Sequence, residues 1–294
     1  MSDLKKYLRD QQRIVDRALK SFLPRESVQP KTIHAAMRYS IFAGGKRLRP
    51  ILTLAAAEAC GGSVKDALAP ACAVEVIHTY SLVHDDLPCM DDDDLRRGRP
   101  TSHKVYGEGM AVLAGDALLT EAFAILAETP DSKRFQTRDY LRELASTSGS
   151  KHLIGGQVLD LEGEGKKLTK RELLQIHKNK TAALLTCSLR LGGMTASATP
   201  RKLEALTDFG YHLGLAFQVI DDILDVTQST EQLGKTAGKD EAAEKATYPA
   251  LMGLEKSRKE AQKLTNKALD TLSTFGKKGH RLEQIARYLL EREY

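Results

Sequence analysis

The chain has 294 residues, and 44 lysines and arginines against 39 aspartates and glutamates give it a formal charge of +5. This modest charge is spread along the chain, whereas a nucleic-acid-binding protein would need a clustered basic face. We therefore expect no nucleic-acid partner. Four cysteines without a CxxC pair predict neither a disulfide framework nor a zinc site, and such usage is typical of a reducing compartment.

The first residues mix both charge signs and lack an uninterrupted apolar run. Residues 1–23 therefore predict an amphipathic helix rather than a signal peptide. No stretch approaches the ~18 apolar residues of a membrane-spanning helix, so we expect a soluble, cytoplasmic protein. Because no linker, low-complexity tract or repeat divides the sequence, we expect residues 1–294 to form a single domain that can enclose a deep cavity.

Helical periodicity dominates the sequence, with apolar residues at three- and four-residue spacing among Ala, Leu, Glu and Lys. The predicted helices are, in chain order, 32–42, 51–60, 67–84, 110–127, 171–191, 202–225 and 257–272. The pairs Gly61-Gly62 and Gly192-Gly193 are predicted to end helices. Because alternating β-branched runs are missing, the predicted fold class is all-α.

Six aspartates lie within ten positions of the stretch LVHDDLPCMDDDDLRRGRP. Crowded carboxylates repel one another, and cations, solvent or bound protons relieve this repulsion. Asp85 and Asp86 close an apolar helix and fit a solvated loop poorly, whereas residues 92–94 fit one well. Pro88 interrupts the regular helix, so the extension after it is expected to bring Asp91 toward the same ion as Asp85.

A second acidic cluster lies far downstream in FQVIDDILDVT. Asp221 and Asp222 are four and three residues from Asp225, spacings that place these carboxylates on one helix face. Their neighbours are apolar, and burial would make unpaired carboxylates costly. Oxygen ligands without Cys or His indicate Mg²⁺ rather than zinc or iron, and Mg²⁺ held by few carboxylates usually shares substrate phosphates. The two clusters therefore predict a diphosphate clamped between them.

Several basic stretches are candidates for binding such an anion. The candidates are Lys46, Arg47, Arg49, Arg96, Arg97, Lys180, Thr181, Lys235 and Lys245. Glycines beside the first three would let backbone N–H groups approach an anion. Taken singly, each stretch has an ordinary alternative explanation: a solvated helix start, charge balancing of the acidic loop, a basic turn or a surface lysine.

Together these stretches, with HKVYGE, LAGDALLT, GGQVLDLEGEG, KTAALL and KATYPAL in the same order, closely resemble the bacterial farnesyl diphosphate synthases of the trans-polyprenyl synthase family. The resemblance covers nearly the whole chain. It implies the isoprenoid synthase fold, a bundle of antiparallel helices around a central active-site cavity, usually as a homodimer. It also implies head-to-tail condensation of isopentenyl diphosphate with dimethylallyl and then geranyl diphosphate, giving farnesyl diphosphate. The alternative product within the family is geranylgeranyl diphosphate.

The resemblance further implies the roles of individual residues. The implied ligands for a cluster of Mg²⁺ ions are Asp85, Asp86, Asp91, Asp160, Asp221, Asp222 and Asp225, with Asp240 acting through water. The implied contacts of the allylic substrate are Arg96, Lys180, Lys235 and Lys245, with Thr181 and Gln218 facing the carbocation. The implied isopentenyl diphosphate contacts are Lys46, Arg49, Arg97 and His78. The most direct catalytic roles fall to Asp85, Asp91, Arg96, Lys180, Thr181, Gln218 and Asp221.

His78 is the weakest of these assignments, because a lone histidine on an apolar helix is often a core residue. Its support is that His78, Ser81 and Asp85 share a helix face. The aromatic-then-small pair Tyr80-Ser81, one turn before Asp85, resembles synthases that stop at farnesyl. Ideal helix geometry nevertheless points Ser81 rather than Tyr80 toward the Asp85 face.

Two other classes of protein are less consistent with the sequence. A noncatalytic partner subunit would typically lack one aspartate motif, and both are present. A terpene cyclase would lack the isopentenyl-site residues of GGKRLRP, which are also present.

Overall fold

The computed structural model describes residues 2–227 and 246–291, and regular structure in that part of the chain is almost entirely helical. The longer helices are α1 (Ser2–Phe22), α2 (Lys31–Ile41), α3 (Leu48–Cys60), α4 (Leu68–Asp85), α6 (Glu108–Ala127), α7 (Thr137–Ser148), α8 (Leu153–Gly163), α9 (Lys170–His177), α10 (Ala183–Thr195), α11 (Pro200–Thr227), α13 (Leu254–Thr271) and α14 (His280–Glu291). The short helices are α5 (Ser102–Tyr106) and α12 (Tyr248–Met252). The predicted all-α class is confirmed.

Three smaller elements complete the described part of the chain. A π-helical turn, Lys178–Ala182, joins α9 to α10, and a 3₁₀ segment, Leu272–Gly279, joins α13 to α14. The strands β1 (Leu95–Arg96) and β2 (Arg99–Pro100) form a short antiparallel hairpin. Six of the seven predicted helices and the N-terminal helix are confirmed. The predicted helix 171–191 is instead divided into α9 and α10 by the π-helical turn, and the longer helices α7, α8 and α14 were not predicted.

The two glycine pairs behave differently. Gly61 ends α3 in a left-handed conformation with φ 88°, as predicted. The prediction that Gly192-Gly193 ends a helix is wrong, because both residues lie inside α10. A Cβ atom at Gly192 would lie 2.0 Å from the Thr53 carbonyl oxygen of α3. This glycine therefore permits two helix backbones to approach closely.

Helix α4 lies at the centre of the bundle and packs against α3, α6 and α10. It is buried on nearly every side, as expected of a helix that is apolar all round. Its last residue is Asp85, so the first aspartate cluster lies where α4 leaves the core. The second cluster lies in the last turns of α11, a 28-residue helix. Both clusters are thus positioned by the C-terminal ends of long, well-packed helices.

One described helix, α6, is long and apolar enough by composition to cross a membrane, although 39% of its most apolar window is buried in the fold. The core helix of a soluble protein passes the same test. The absence of a membrane span therefore stays a prediction.

Candidate active site

A cavity of about 740 Å³ lies between α4, α8, the π-helical turn and α11. The predicted site residues that line it are Arg49, His78, Tyr80, Ser81, Asp85, Arg96, Arg97, Lys180, Thr181, Gln218 and Asp221. These residues come from separate stretches of the sequence, and the fold brings them around one space. The other predicted residues that the structure describes lie outside this lining, as described below.

The loop after α4 folds back onto the end of that helix. The backbone N–H of Asp91 donates to the carbonyl oxygen of Asp85 at 2.8 Å, and that of Asp93 donates to the carbonyl of Asp86 at 3.2 Å. The extension through Pro88 therefore brings the backbone of Asp91 beside Asp85, whereas a shared ion stays a prediction. Asp91 itself is half-buried and lies outside the residues that line the cavity.

The carboxyl group of Asp85 is strongly perturbed. Burial is the main cause that raises its pKa to about 6; nearby Lys180 lowers it, and the negative charge of Asp91 raises it further. A cation near Asp85 would relieve both the burial cost and the repulsion. Because the acidic groups facing the cavity offer oxygen ligands only, this end of the cavity fits Mg²⁺.

Asp86 faces Arg96 rather than the cavity. Its Oδ1 accepts from Arg96 Nη2 at 2.5 Å and from Nε at 3.0 Å, and Arg96 also donates to Asp93 at 3.0 Å. Asp86 is almost fully buried, and desolvation raises its pKa against the lowering effect of Arg96. This geometry does not place Asp86 with Asp85 at the cavity. It also shows that Asp93 is an ion-pair partner rather than a solvated excess charge.

The outer part of the acidic loop has its own grouping. Ligand atoms of Asp92, Asp94 and His103 lie within 4.8 Å of one another, which could hold a cation. Asp94 also forms an exposed ion pair with Lys104 at 2.7 Å. Exposed acidic groups are common without an ion, so the cavity-lining aspartates remain the stronger candidates for the Mg²⁺ ligands.

The three aspartates of the second cluster have different surroundings. Asp221 lines the cavity. Asp222 is buried, and its Oδ1 accepts from Gln218 Nε2 while its Oδ2 accepts from the backbone N–H of Tyr248, both at 3.0 Å. Asp225 is also buried and lies outside the cavity lining. Consecutive helical residues point about 100° apart, so Asp222 turns away from the Asp221 face toward Gln218 of the same helix and the start of α12.

The π-helical turn places Lys180 and Thr181 at the cavity. π-helical turns are frequent at functional sites, and this one is enclosed by two glycines. A Cβ atom at Gly156 of α8 would lie 2.3 Å from the backbone nitrogen of Lys180, and one at Gly214 of α11 would lie 2.5 Å from Ala182 Cα. Both helices therefore contact the turn through their backbones.

Lys180 lies near two acidic groups, Asp160 of α8 and Asp85 of α4. Its Nζ lies 2.5 Å from Asp160 Oδ2 on α8. Burial alone would lower the pKa of Lys180, but the negative charges of Asp160 and Asp85 raise it overall. Lys180 is therefore a fixed cation at the cavity, and Asp160 is its ion-pair partner in this structure.

Thr181 and Gln218 form a pair on the cavity wall. Thr181 Oγ1 donates to Gln218 Oε1 at 2.8 Å. The hydroxyl and the amide belong to the π-helical turn and to α11, which are 37 residues apart in sequence. Their oxygen atoms lie beside the space that a substrate would fill.

A basic group lies on the side of the cavity formed by α3 and α4. Burial lowers the pKa of Arg49 to about 10, and within the described residues its buried Nε has no hydrogen-bond partner. Arg97 donates to the carbonyl oxygen of Gly44. Burial and the nearby arginines hold the pKa of His78 well below its usual value, so His78 can hydrogen-bond to an anion but does not add charge.

The loop that precedes α3, and therefore the start of the helix that carries Arg49, is anchored by Arg47. Arg47 is buried and in the left-handed region with φ 51°; it binds Asp16 and Glu75 at 2.8 Å each and donates to the Ile41 carbonyl at 2.7 Å. Lys46 is exposed and does not line the cavity. Alternate residues of this short loop thus face the core and the solvent.

The apolar part of the cavity was largely missed by the sequence analysis. Its unpredicted lining residues include Leu119, Leu153, Leu161, Leu184 and Phe217. They belong to helices α6, α8, α10 and α11, and apolar helical residues of this kind are indistinguishable from core residues in sequence.

Tyr80 and Ser81 both line the cavity, although helix geometry favoured Ser81 alone. Tyr80 is buried, its ring lies edge-on to His84 with 5.9 Å between ring centroids, and burial raises the pKa of its hydroxyl to about 12. The long side chain therefore reaches the cavity from the flank of α4. Lys235, Asp240 and Lys245 lie outside the described residues.

A second cavity of about 730 Å³ lies between α7, α10 and α11. None of the predicted site residues is among the described residues that line it. Its main charged pair is satisfied internally, because Arg190 binds Glu143 at 2.6 and 2.9 Å and donates to Thr207 at 2.8 Å. It is therefore a weaker candidate for an active site.

This chain is similar to known proteins over most of its length. Residues 30–288 match the family described as polyprenyl synthetase. The chain is 51% identical over 279 residues to the heterodimeric geranylgeranyl pyrophosphate synthase large subunit 1 of Arabidopsis thaliana, covering 93% of this chain and 75% of that protein. It is 50% identical over 268 residues to a geranylgeranyl pyrophosphate synthase of Capsicum annuum, covering 90% and 73%.

A solved structure is similar over the whole fold. It is a polyprenyl synthase from Caulobacter crescentus CB15 complexed with calcium and isoprenyl diphosphate, 31% identical with a TM-score of 0.88, covering 99% of this chain and 97% of that one. The fold and the match over most of the sequence indicate the same family. This chain belongs to the polyprenyl synthetase family.

Proposed function

We propose that this protein is a prenyltransferase that joins isopentenyl diphosphate head to tail to an allylic diphosphate. The observation that carries the proposal is a single cavity lined by one aspartate from each acidic cluster, Asp85 and Asp221, and by Arg49 from the first turn of α3 and Arg97 from the turn between β1 and β2. The aspartates suit Mg²⁺ bound together with a diphosphate. The arginines suit a second diphosphate that carries no metal. Two diphosphate sites in one cavity are what a condensation of two diphosphate substrates requires.

The allylic substrates are dimethylallyl diphosphate and then its extended products, beginning with geranyl diphosphate. The carbon–oxygen bond of the allylic diphosphate breaks first, and Lys180 and Arg96 stabilise the negative charge on the departing oxygens. When bound, Mg²⁺ supplies further charge neutralisation for this group. The isopentenyl double bond then forms the new carbon–carbon bond, and the departed diphosphate takes the proton that is lost. No nucleophilic side chain is needed.

The carbocation formed in this way must be protected from water. Leu153, Leu184 and Phe217 line the cavity beside the charged groups, and their apolar surface excludes solvent from the reacting carbons. The oxygen atoms of Thr181 and Gln218 lie on the same wall and offer dipoles to a developing positive charge. The arrangement therefore combines cationic groups for diphosphate with oxygen acceptors for the carbocation.

For the main product, we propose geranylgeranyl diphosphate rather than the farnesyl diphosphate expected from the sequence. The proposal is supported by the names of the two plant relatives, both geranylgeranyl pyrophosphate synthases at 50–51% identity. Tyr80, the residue that favoured farnesyl, is half of a ring pair with His84 on one flank of α4. The proposal requires that this ring does not close the cavity to a longer chain.

Product analysis tests both levels of the proposal. Labelled isopentenyl diphosphate with dimethylallyl diphosphate should give mainly the twenty-carbon product, and farnesyl diphosphate supplied as the allylic substrate should be consumed. Accumulated farnesyl diphosphate that is not extended would restore the farnesyl alternative. No incorporation with any allylic diphosphate would refute the prenyltransferase proposal itself.

The Tyr80 side chain offers a second test of chain length. Tyr80→Phe keeps the ring and should keep the product unchanged, whereas Tyr80→Ala removes a side chain that buries roughly 150–250 Å² when enclosed. If the ring limits the product, Tyr80→Ala should shift the distribution by at least one five-carbon unit. An unchanged distribution in a variant that melts at a lower temperature would identify Tyr80 as a core residue only.

We further propose that the protein is a homodimer in which α6 contacts the partner. Val112 and Leu113 of α6 are 40% and 55% exposed, an unusual amount for apolar residues within one turn. A second copy would bury this surface, since exposed apolar patches commonly mark interfaces. Light scattering should give twice the 32.4 kDa chain mass, and Leu113→Arg should give a monomer. A monomeric wild type would refute this proposal.

A further inference from the structure

We propose that Asp222 is a positioning residue that orients the side-chain amide of Gln218, so that the oxygen atoms of Gln218 and Thr181 face the reacting carbon chain. This role differs from the metal-ligand role suggested by its place in the second aspartate cluster. The inference rests on the proposed prenyl transfer and assigns a function to a carboxylate that does not line the cavity.

The contacts of Asp222 set it apart from its neighbour. Asp221 lines the cavity, whereas Asp222 is only 3% exposed. Both carboxylate oxygens of Asp222 accept hydrogen bonds at 3.0 Å, one from Gln218 Nε2 and one from the Tyr248 backbone N–H at the start of α12. A side chain turned toward a metal in the cavity would have to give up these bonds.

The carboxylate determines which end of the Gln218 amide faces it. An ionised carboxylate accepts hydrogen bonds and cannot donate them, so the NH₂ group of Gln218 must point toward Asp222. The amide oxygen then points the other way, where it accepts from Thr181 Oγ1 at 2.8 Å. The hydroxyl proton of Thr181 is used in this bond, which leaves the oxygen lone pairs of Thr181 available at the cavity.

The orientation matters because the cavity holds a carbocation in the proposed reaction. Oxygen dipoles aimed at developing positive charge stabilise it, and they act most strongly when they are held in place before the reaction. A Gln218 amide rotated by 180° would instead present N–H groups, and Thr181 would have to reverse its hydroxyl. Asp222, one helical turn from Gln218, disfavours the rotated amide because its ionised carboxylate cannot donate a hydrogen bond to the amide oxygen.

His177 is also part of the surroundings of Asp222. Its Nε2 lies 4.0 Å from Asp222 Oδ2, and its ring lies 5.5 Å from that of Tyr248, centroid to centroid. Burial lowers the pKa of His177 to about 4. A neutral His177 adds no charge beside the carboxylate, and the N–H groups of Gln218 and Tyr248 donate to it.

The first test compares Asp222→Asn with Asp221→Asn. Asparagine has one oxygen and one NH₂ group, so it cannot accept from both donors. We expect Asp222→Asn to lower kcat by about ten- to a hundredfold, as for loss of a hydrogen bond to a charged group. The KM of each substrate and the calorimetric affinity for Mg²⁺ with inorganic pyrophosphate should change less than threefold. Asp221→Asn should weaken Mg²⁺-dependent pyrophosphate binding at least tenfold.

The second test exchanges the two groups. In Gln218→Glu two carboxylates face each other, so kcat should fall. In the double variant Asp222→Asn with Gln218→Glu, the asparagine NH₂ can donate to the new carboxylate at position 218, and the asparagine oxygen can accept from Tyr248. The new carboxylate can still accept from Thr181. The double variant should therefore recover at least tenfold in kcat over the better single variant.

Three results would overturn the proposal. Loss of Mg²⁺-dependent pyrophosphate binding in Asp222→Asn would make Asp222 a metal ligand, and unchanged kcat would remove any positioning role. Failure of the double variant to recover, with melting temperatures matching those of wild type, would exclude the orientation mechanism. The binding measurements need no turnover, so they separate this proposal from the prenyltransferase proposal, which fails only if the wild-type protein is inactive.

Discussion

Replacing Asp85 by asparagine should make the metal-free protein more stable at neutral pH while it abolishes most of the activity. Burial at the end of α4 is the main cause that raises the pKa of Asp85 to about 6, from an ordinary 3.8. The folded protein therefore favours the protonated carboxyl group, and ionisation destabilises the fold. Asparagine has nearly the same shape and carries no charge, so it removes this destabilisation.

The magnitude follows from the pKa difference. About two pKa units at about 1.4 kcal/mol each correspond to roughly 3 kcal/mol, and water in the open cavity reduces this to about 1–3 kcal/mol. Because the folded-state pKa is the higher one, the destabilisation is absent below pH 3.8 and is complete above pH 6. The free energy of unfolding of the wild type should fall across this window.

Thermal melts in the presence of a chelator test the prediction. At pH 7.5 the Asp85→Asn variant should melt about 2–8 °C higher than the wild type, and at pH 4.5 the difference should shrink to about a third. Asp94→Asn is a matched control, because Asp94 is exposed in its ion pair with Lys104 and should contribute less than about 1 kcal/mol. A lower melting temperature for Asp85→Asn, or a difference independent of pH, would refute the reasoning.

Three further predictions concern packing and substrate binding. Arg47→Ala should lower the free energy of unfolding by about 3–5 kcal/mol, since it leaves a buried carboxylate unpaired. The control Arg13→Ala, at an exposed position, should lower it by under about 1 kcal/mol. Urea denaturation measures both variants, and equal losses would contradict the anchoring role of Arg47. Gly192→Ala should lower the free energy of unfolding by about 1–3 kcal/mol through overpacking. The control Gly109→Ala, whose Cβ would meet nothing within 4 Å, should leave it unchanged or raise it by about 0.4–1 kcal/mol. An unchanged free energy of unfolding for Gly192→Ala in the same urea denaturation experiment would contradict the close helix crossing. Arg49→Ala should raise the KM of isopentenyl diphosphate at least tenfold more than that of the allylic substrate, and steady-state kinetics showing equal effects would mean that the division between the two diphosphate sites is wrong.

The sequence by itself determined the helical class, the main helices and the two acidic clusters. These properties are local, because a three- and four-residue apolar period specifies a helix and its buried face without reference to distant residues. The same locality explains why Asp91 folds back beside Asp85, since only a short loop joins them. Hard oxygen ligands without sulfur or imidazole partners indicated Mg²⁺ for the same reason, since ligand type is visible in sequence.

The tertiary structure alone decided which carboxylates face the cavity and what surrounds them. Spacing placed Asp221, Asp222 and Asp225 on one side of α11, but the start of α12 and the amide of Gln218 hold Asp222 in the interior. In the same way, Arg96 holds Asp86. A helical period defines a face but does not identify the neighbour that packs against it. Tyr248, 26 residues further along the chain, is such a neighbour of Asp222, and only the packing of α12 against α11 brings the two together.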